Sequence, residues 1–191
     1  MGQTLIIYCH PYDKSFNHAI LERILKDMNQ RRARYRVINL YAEKFMPFYT
    51  EAELALFNTG KTLDPLVLRY QEMLKEADQL IFITPIWWND LPGMLKGFID
   101  KVMKKRFAYL PTKTGIAGQL TNIKKAYVFT TSTSPTWYLK FFCGNSINRT
   151  FVKTTLKQLG IKNTVWHNLG GIDSKSPTQL QTYLATISKL I

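Results

Sequence analysis

The chain alternates short, continuously apolar runs with longer segments whose apolar residues recur at helical spacing. Thr4-Leu-Ile-Ile-Tyr-Cys9 is the first run, and Gln79-Leu-Ile-Phe-Ile-Thr84 and Ala126-Tyr-Val-Phe-Thr-Thr131 are its counterparts further on. Runs of this kind, without apolar–polar alternation, suit strands covered on both faces, as in a parallel sheet. Tyr35-Arg-Val-Ile-Asn-Leu40 and Thr164-Val-Trp-His-Asn168 complete the set. Between the strands, Leu21, Ile24, Leu25 and Met28 share a helical face, as do Leu66, Tyr70, Met73 and Leu74. The same spacing returns in Leu95, Phe98, Ile99, Val102 and Met103, in Val152, Leu156 and Leu159, and in Leu180, Leu184, Ile187 and Ile191. Pro92 stands where the third of these helices begins, and Gly160 where the fourth stops. Strands alternating with helices predict an α/β protein: a doubly wound, five-stranded parallel sheet with helices on both faces, forming one domain over residues 1–191. The connection 41–61 is long and rich in aromatics, with a helical turn expected at 51–57. Connections of that length carry function or meet a partner subunit.

In an open parallel sheet, ligands bind outside the carboxyl ends of the strands. Three loops at those ends hold unusual residues. The first runs from His10 to Asn17 and leads into a helix, whose exposed backbone N–H groups make an anion site. Ser15 and Asn17 are N-cap types, and His10 and Lys14 add positive donors. The third begins at Pro85, which ends its strand because it cannot donate to a sheet ladder. It holds Ile86, Trp87, Trp88, Asn89 and Asp90. The plain alternative is that both indoles plug the top of the core. The fourth, from Ser132 to Tyr138, gathers hydroxyls and backbone donors. One loop offers an anion pocket, one aromatic rings, one hydroxyls. A flat, conjugated, phosphate-bearing ligand fits that set, and a flavin nucleotide fits it best.

The net charge of +13 points to an anionic partner class: nucleic acid, a membrane surface or a phosphate-bearing small molecule. A solvated basic face is the competing explanation, and the densest basic runs, 31–36 and 101–106, fall at helix ends where cations complement the dipole. No stretch reaches the roughly 18 apolar residues of a membrane span, so membrane insertion is not expected. The start of the chain runs into a strand without a signal-peptide pattern. Cys9 and Cys143 have neither metal spacing nor disulfide density. A cytoplasmic protein is the expectation. The chain has no Gly-x-Gly-x-x-Gly after the first strand, no Walker loop, no His-Glu-x-x-His and no Cys-x-x-Cys. His167, ending an apolar strand, is expected to be structural.

These segments together resemble the flavodoxin-like NAD(P)H:quinone reductases of the DT-diaphorase type, a family that includes bacterial quinone reductases and potassium-efflux ancillary oxidoreductases. His10, Ser15, Phe16 and Asn17 are similar to that family's first loop, which meets the phosphate end of the flavin. Glu76-Ala-Asp-Gln-Leu-Ile-Phe82, then Pro85, Ile86, Trp87, Trp88 and Asn89, then Pro92 with Leu95, Lys96 and Gly97, resemble the segment that cradles the isoalloxazine edge. Phe107, Ala108 and Tyr109 resemble the segment whose tyrosine lines the substrate side of the flavin. Thr130, Thr131, Ser132 and Thr133 stand where the family has Thr-Thr-Gly-Gly against the pyrimidine edge, and Tyr138 matches a tyrosine near it. Two departures are visible. Ser132 and Thr133 replace glycines, and the histidine that follows the family's tyrosine falls near Cys143, Gly144 and Asn145.

The resemblance implies a flavin-dependent oxidoreductase and a homodimer. Hydride would pass from NAD(P)H to flavin N5 and then to a quinone-like acceptor by a ping-pong route. The flavin is FAD or FMN, with FAD favoured. Tyr138 and the backbone N–H groups of the fourth loop would stabilise negative charge near the flavin's N1 and O2. Two alternatives share the flavin: a flavodoxin-type electron carrier, and an ancillary or regulatory subunit of a transporter. A nucleic-acid binder would use the charge, but no binding motif accompanies it.

Overall fold

The computed structural model describes residues 2–191. In chain order it forms β1 (Gln3–Tyr8), α1 (Phe16–Gln30), β2 (Arg34–Asn39), α2 (Glu51–Ala55), α3 (Pro65–Glu76), β3 (Gln79–Pro85) and α4 (Gly93–Val102). There follow β4 (Tyr109–Thr112), β5 (Gly115–Gly118), β6 (Lys125–Ser132), α5 (Thr136–Phe141), a π-helical segment (Ile147–Leu156), β7 (Thr164–Gly170) and α6 (Pro177–Ile187). The main sheet runs β2-β1-β3-β6-β7, and every pairing in it is parallel. The five strands expected from the apolar runs are these five.

Alternate residues of the central strands feed two cores, as the two-residue period of a strand requires. Leu5, Ile7, Phe82 and Val128 pack with Leu74 of α3, Phe98 of α4 and Phe151 of the π-helical segment. Ile6, Ile81, Ile83 and Phe129 pack on the other side with Ile20 and Ile24 of α1 and Ile187 of α6. Helices therefore cover both faces. The strand order reverses direction between β1 and β3, and the crevice outside their carboxyl ends is where such a sheet takes a ligand.

Two regions differ from expectation. The stretch after α4, although rich in the Gly, Thr and Pro of a loop, forms an antiparallel hairpin of β4 and β5, with Tyr109 opposite Gly118 and Thr112 opposite Gly115. The fourth helix starts at Ile147, earlier than its apolar pattern, and its first ten residues are π-helical. Gly160 ends it as expected, at φ +101°.

The long connection after β2 is anchored by a buried cation. Lys101 of α4 is buried; its Nζ donates to the Met46 carbonyl at 2.9 Å and Asp64 Oδ2 at 3.0 Å, with Glu53 Oε1 at 3.4 Å. The expected helical turn is α2, held by a capping box between Thr50 and Glu53. Pro47 presses so close to α4 that a Cβ on Gly97 would lie 2.0 Å from its carbonyl oxygen. Among the described residues, no helix is long and apolar enough to cross a membrane.

Candidate functional site

The third loop is set by the end of β3. Pro85 still pairs with Thr131, and the Ile86 N–H donates to the Thr131 carbonyl at 2.8 Å. The chain then reverses in a tight turn closed by two reciprocal backbone bonds between Trp87 and Asp90, each 3.0 Å. Its two central residues are left-handed, Trp88 at φ +49° and Asn89 at φ +65°. A turn with both central residues at positive φ ordinarily uses Asn-Gly, and a residue with a Cβ there costs about 1–2 kcal/mol. The turn carries Trp88 entirely into solvent, 98% exposed, and leaves Trp87 43% exposed with its ring edge-on to His10 at 6.3 Å. Neither indole plugs the core.

The fourth loop is shaped from β7 by Asn168, which the apolar pattern marks only as the end of a strand. Asn168 pairs with Thr130 in the sheet register. Its Oδ1 accepts from Thr130 Oγ1 at 2.8 Å, and its Nδ2 donates to Ser132 Oγ at 3.0 Å and Thr136 Oγ1 at 2.9 Å. Trp166 Nε1 donates to Thr130 Oγ1 at 2.8 Å, and Ser132 Oγ donates to the Ser134 carbonyl at 2.7 Å. Neither Ser132 nor Thr133 is left-handed. This loop does not need the glycines its resemblance suggested, and the Ser132 hydroxyl is built into its bonding. The signal in the sequence was a lone amide at the end of an apolar strand, which must find partners when buried.

The first loop is held by Ser15, whose hydroxyl accepts from the His18 N–H at 3.1 Å and caps α1. Asn17 is buried; its Nδ2 donates to Thr131 Oγ1 at 2.8 Å, and its Oδ1 has no partner among the described residues. His10 Nδ1 accepts from the Tyr12 N–H at 3.1 Å, which leaves the ring proton on Nε2. Burial lowers the His10 pKa below its ordinary value. The expectation of a positive histidine here is therefore corrected: His10 is a neutral donor, and Lys14 is the cation of the loop. The Phe16 ring packs against Tyr183 of α6 at 6.1 Å.

The third and fourth loops meet in one pocket of about 310 Å³, lined by Ile86, Trp88, Asn89, Ser132, Thr133, Ser134 and Leu139. The Ser146 hydroxyl donates to the Asn89 carbonyl and joins the segment after α5 to the same rim. Tyr138 lies beside this pocket without lining it; its ring stacks on Phe142 at 5.6 Å and meets Trp137 edge-on at 5.9 Å. Tyr109 lines a different pocket with Tyr49, Phe57, Met103 and Ile116. Thr130 is turned into the Asn168 network, away from any role that needs its hydroxyl free.

Other titratable groups are structural. Cys9 is buried and its thiol is pushed up to about 12 by burial, which leaves it unreactive. His167 stacks on Phe129 at 5.3 Å, and burial followed by the Lys125 charge lowers its pKa. Among the described residues, no group of three or more His, Cys, Asp or Glu is arranged to hold a metal ion. The site thus brings together a buried amide, the hydroxyls of the fourth loop and an exposed indole.

The family described as the flavodoxin-like fold matches residues 2–191. An uncharacterized NAD(P)H oxidoreductase of Haemophilus influenzae is 27% identical over 169 residues, which cover 88% of this chain and 83% of that one. NAD(P)H dehydrogenase (quinone) 1 of Cavia porcellus is 31% identical over 154 residues, covering 72% of this chain and 56% of that enzyme. The chain thus matches little more than half the length of the mammalian relative. Among solved structures, an NAD(P)H:quinone oxidoreductase from Methanothermobacter marburgensis superposes with a TM-score of 0.88 at 25% identity, over 98% of this chain and 96% of that one.

Proposed function

We propose, from the premise that this chain belongs to the flavodoxin-like fold family, that it is a flavin-dependent NAD(P)H oxidoreductase acting on a quinone-like acceptor. The observation that carries this reading is the convergence of the three loops: the pocket between loops three and four, with loop one fastened to it by the Asn17–Thr131 bond. The relatives' names give the nicotinamide and the quinone.

The residues present suit a flavin. The unpartnered, buried Oδ1 of Asn17 is an acceptor waiting for a donor at the crevice floor, and orphaned buried acceptors ordinarily find one. Backbone N–H groups at the start of α1, with Ser15, Phe16, Asn17, Lys14 and the neutral His10 around them, would hold the phosphate. Pro85, Ile86, Trp87, Trp88 and Asn89 on one side, and Thr131, Ser132 and Thr133 on the other, would hold the ring. A bound flavin, FAD or FMN, supplies the two-electron chemistry between NAD(P)H and the acceptor, which share one face in a ping-pong sequence.

The chain's own groups bind, orient and stabilise charge. The strained Trp87–Asp90 turn fixes the indole of Trp88 at the rim, where it can cover a planar ligand. Backbone N–H groups of loop four, held in place by Asn168, and the Tyr138 hydroxyl would meet negative charge on the pyrimidine side. Residues 1–191 act as one flavin-binding domain in this account. Tyr109 lines a pocket that shares no residue with the one at loops three and four; in this reading its place on the substrate side would be supplied across a two-fold interface. Met46, Phe48, Leu54 and Leu63 of the long connection are exposed, apolar side chains that a homodimer interface would cover.

The test is to identify by mass any flavin released from the purified protein, and to follow NAD(P)H oxidation with a soluble quinone. Near-stoichiometric FAD or FMN and steady turnover are expected. A protein that holds neither flavin, even when each is added, overturns the proposal.

A further inference from the structure

Ser132, Thr133 and Ser134 line the pocket between loops three and four, and Asn168 does not; it works on the pocket wall from behind. The hydroxyl protons around it each have a fixed direction. Thr130 Oγ1 accepts from Trp166 Nε1 and donates to Asn168 Oδ1, both at 2.8 Å. Ser132 Oγ donates to the Ser134 carbonyl at 2.7 Å, and Thr136 Oγ1 to the Asn168 carbonyl at 3.3 Å. These two hydroxyl oxygens are left as acceptors, and Asn168 Nδ2 donates to both, at 3.0 and 2.9 Å. Turning the amide end for end would set its oxygen against them and break both bonds. The sheet thus fixes the amide, and the amide fixes the loop.

The end of β7 clamps loop four twice more. The Gly171 N–H donates to the Ser134 carbonyl at 3.2 Å. Gly170 lies so close that a Cβ on it would be 2.4 Å from the Thr136 nitrogen. Loop four is therefore held as one rigid piece, and Ser132 is the point where the brace reaches the pocket wall. That serine stands where the resemblance has a glycine, which would give Asn168 nothing to hold. Dipoles fixed in advance stabilise developing charge without reorganising as it develops.

Resting on the flavin reading above, the geometry points to Asn168 as the positioning residue that sets how readily the bound flavin is reduced. NAD(P)H gives up two electrons and a proton as hydride and leaves as NAD(P)+. The quinone later takes that hydride and one proton from solvent. Between the two events the site carries added negative charge, which the N–H groups of loop four would meet. Asn168, through Ser132, keeps those groups from turning away. It therefore favours the reduced state over the oxidised one and acts on the first half of the cycle, touching neither nucleotide nor quinone.

The experiment measures the midpoint potential of the bound flavin, and the affinity for oxidised and reduced flavin, in the unaltered protein, Asn168→Ala and Ser132→Ala. Asn168→Ala should weaken binding of reduced flavin about tenfold more than binding of oxidised flavin, which is a drop of about 30 mV for a two-electron couple. That lies below the roughly hundredfold or greater loss of a donor removed outright, because the N–H groups are loosened and not deleted. In rapid mixing, bleaching by NAD(P)H should slow by a similar factor, while reoxidation by a soluble quinone is not slowed. Adding Ser132→Ala to Asn168→Ala should shift the potential no further, since one path carries the effect. In flavin-free protein, deuterium uptake over residues 132–136 should rise in Asn168→Ala. Equal weakening of both redox states, or equal slowing of both half-reactions, would make Asn168 a structural brace alone and overturns the proposal, as does an unmoved potential. Should Asn168→Ala not fold, Ser132→Ala, which leaves the Thr130 and Thr136 bonds to Asn168 in place, must shift the potential in the same direction by a smaller amount. A protein whose flavin neither nucleotide bleaches overturns the enzyme reading and this role with it; normal bleaching with an unmoved potential overturns the role alone.

Discussion

The Asn17 side-chain amide donates to Thr131 Oγ1 at 2.8 Å, across 114 positions of sequence. That bond spans the crevice at the switch point, tying the start of α1 to the end of β6. Asn17 also keeps one buried acceptor unpartnered within the protein. The residue is therefore both a strut between two loops and a contact held ready for a ligand.

Replacing Asn17 by alanine should test both roles. Removing the donor leaves Thr131 Oγ1 without its partner, at a cost of about 1–3 kcal/mol in stability. Flavin affinity should fall at least about tenfold, since a lost hydrogen bond to a buried group is worth that much. Urea unfolding and fluorescence titration with FAD and FMN measure the two effects. A stability loss with unchanged affinity would leave Asn17 only its role as a strut.

Trp88→Gly should separate stability from function. The indole is 98% exposed and left-handed at φ +49°, so it contributes strain and no burial. Glycine removes a cost of about 1–2 kcal/mol, and the urea midpoint should rise. The same change removes the rim's planar surface and should weaken flavin binding. Strain kept at a site against stability is expected where the strained residue acts on a ligand.

Lys101→Ala should be among the more damaging substitutions outside the crevice. The Nζ of Lys101 sits between Asp64 Oδ2, Glu53 Oε1 and the Met46 carbonyl, fully buried. Its loss strips the buried Glu53 and the part-buried Asp64 carboxylates of this cation, which costs up to about 3–5 kcal/mol. Combining Lys101→Met with Glu53→Gln and Asp64→Asn removes the stranded charges. That triple variant should recover part of the loss in equilibrium unfolding.

Stability should fall as pH drops below about 7, through the ordinary histidine range. Burial, with the Lys125 charge second, holds the His167 pKa below its ordinary 6.5, and burial does the same to His10. The unfolded chain takes up a proton near the ordinary value, while the folded chain stays neutral until its lower pKa is reached. In that window the unfolded state binds more protons, so acidification favours it; below the folded pKa the loss is complete. His167→Phe, which can keep the stack on Phe129, should flatten the melting temperature against pH without abolishing the slope, because His10 still contributes.

The strands were legible because β1, β3 and β6 are short runs buried on both faces, the pattern of strands covered on both sides, set between helical repeats. Helix faces and the stop at Gly160 followed from spacing and backbone chemistry. The hairpin was hidden because its residues, 109–118, are mostly exposed and its Gly, Thr and Pro content is that of a loop; register there comes from tertiary contact. At the site, Ile86, Trp88, Asn89, Ser132 and Thr133 were legible as strand-end residues, and the pocket gathers them. Asn168 was not, since its role exists only once β7 lies beside β6. The direction of the Trp88 indole was equally unreadable: a Trp-Trp pair says nothing of the positive φ that throws one ring into water.

The measurement that tests the central claim most directly is an anaerobic titration of the flavin-loaded protein. NADH or NADPH is added first, and a soluble quinone second, while the visible flavin band is followed. The account predicts bleaching by one of the nucleotides and full recovery of the band on adding the quinone, in equimolar steps. A flavin band that neither nucleotide bleaches, or a bleached one that the quinone leaves unchanged, would contradict an NAD(P)H:quinone oxidoreductase at this crevice.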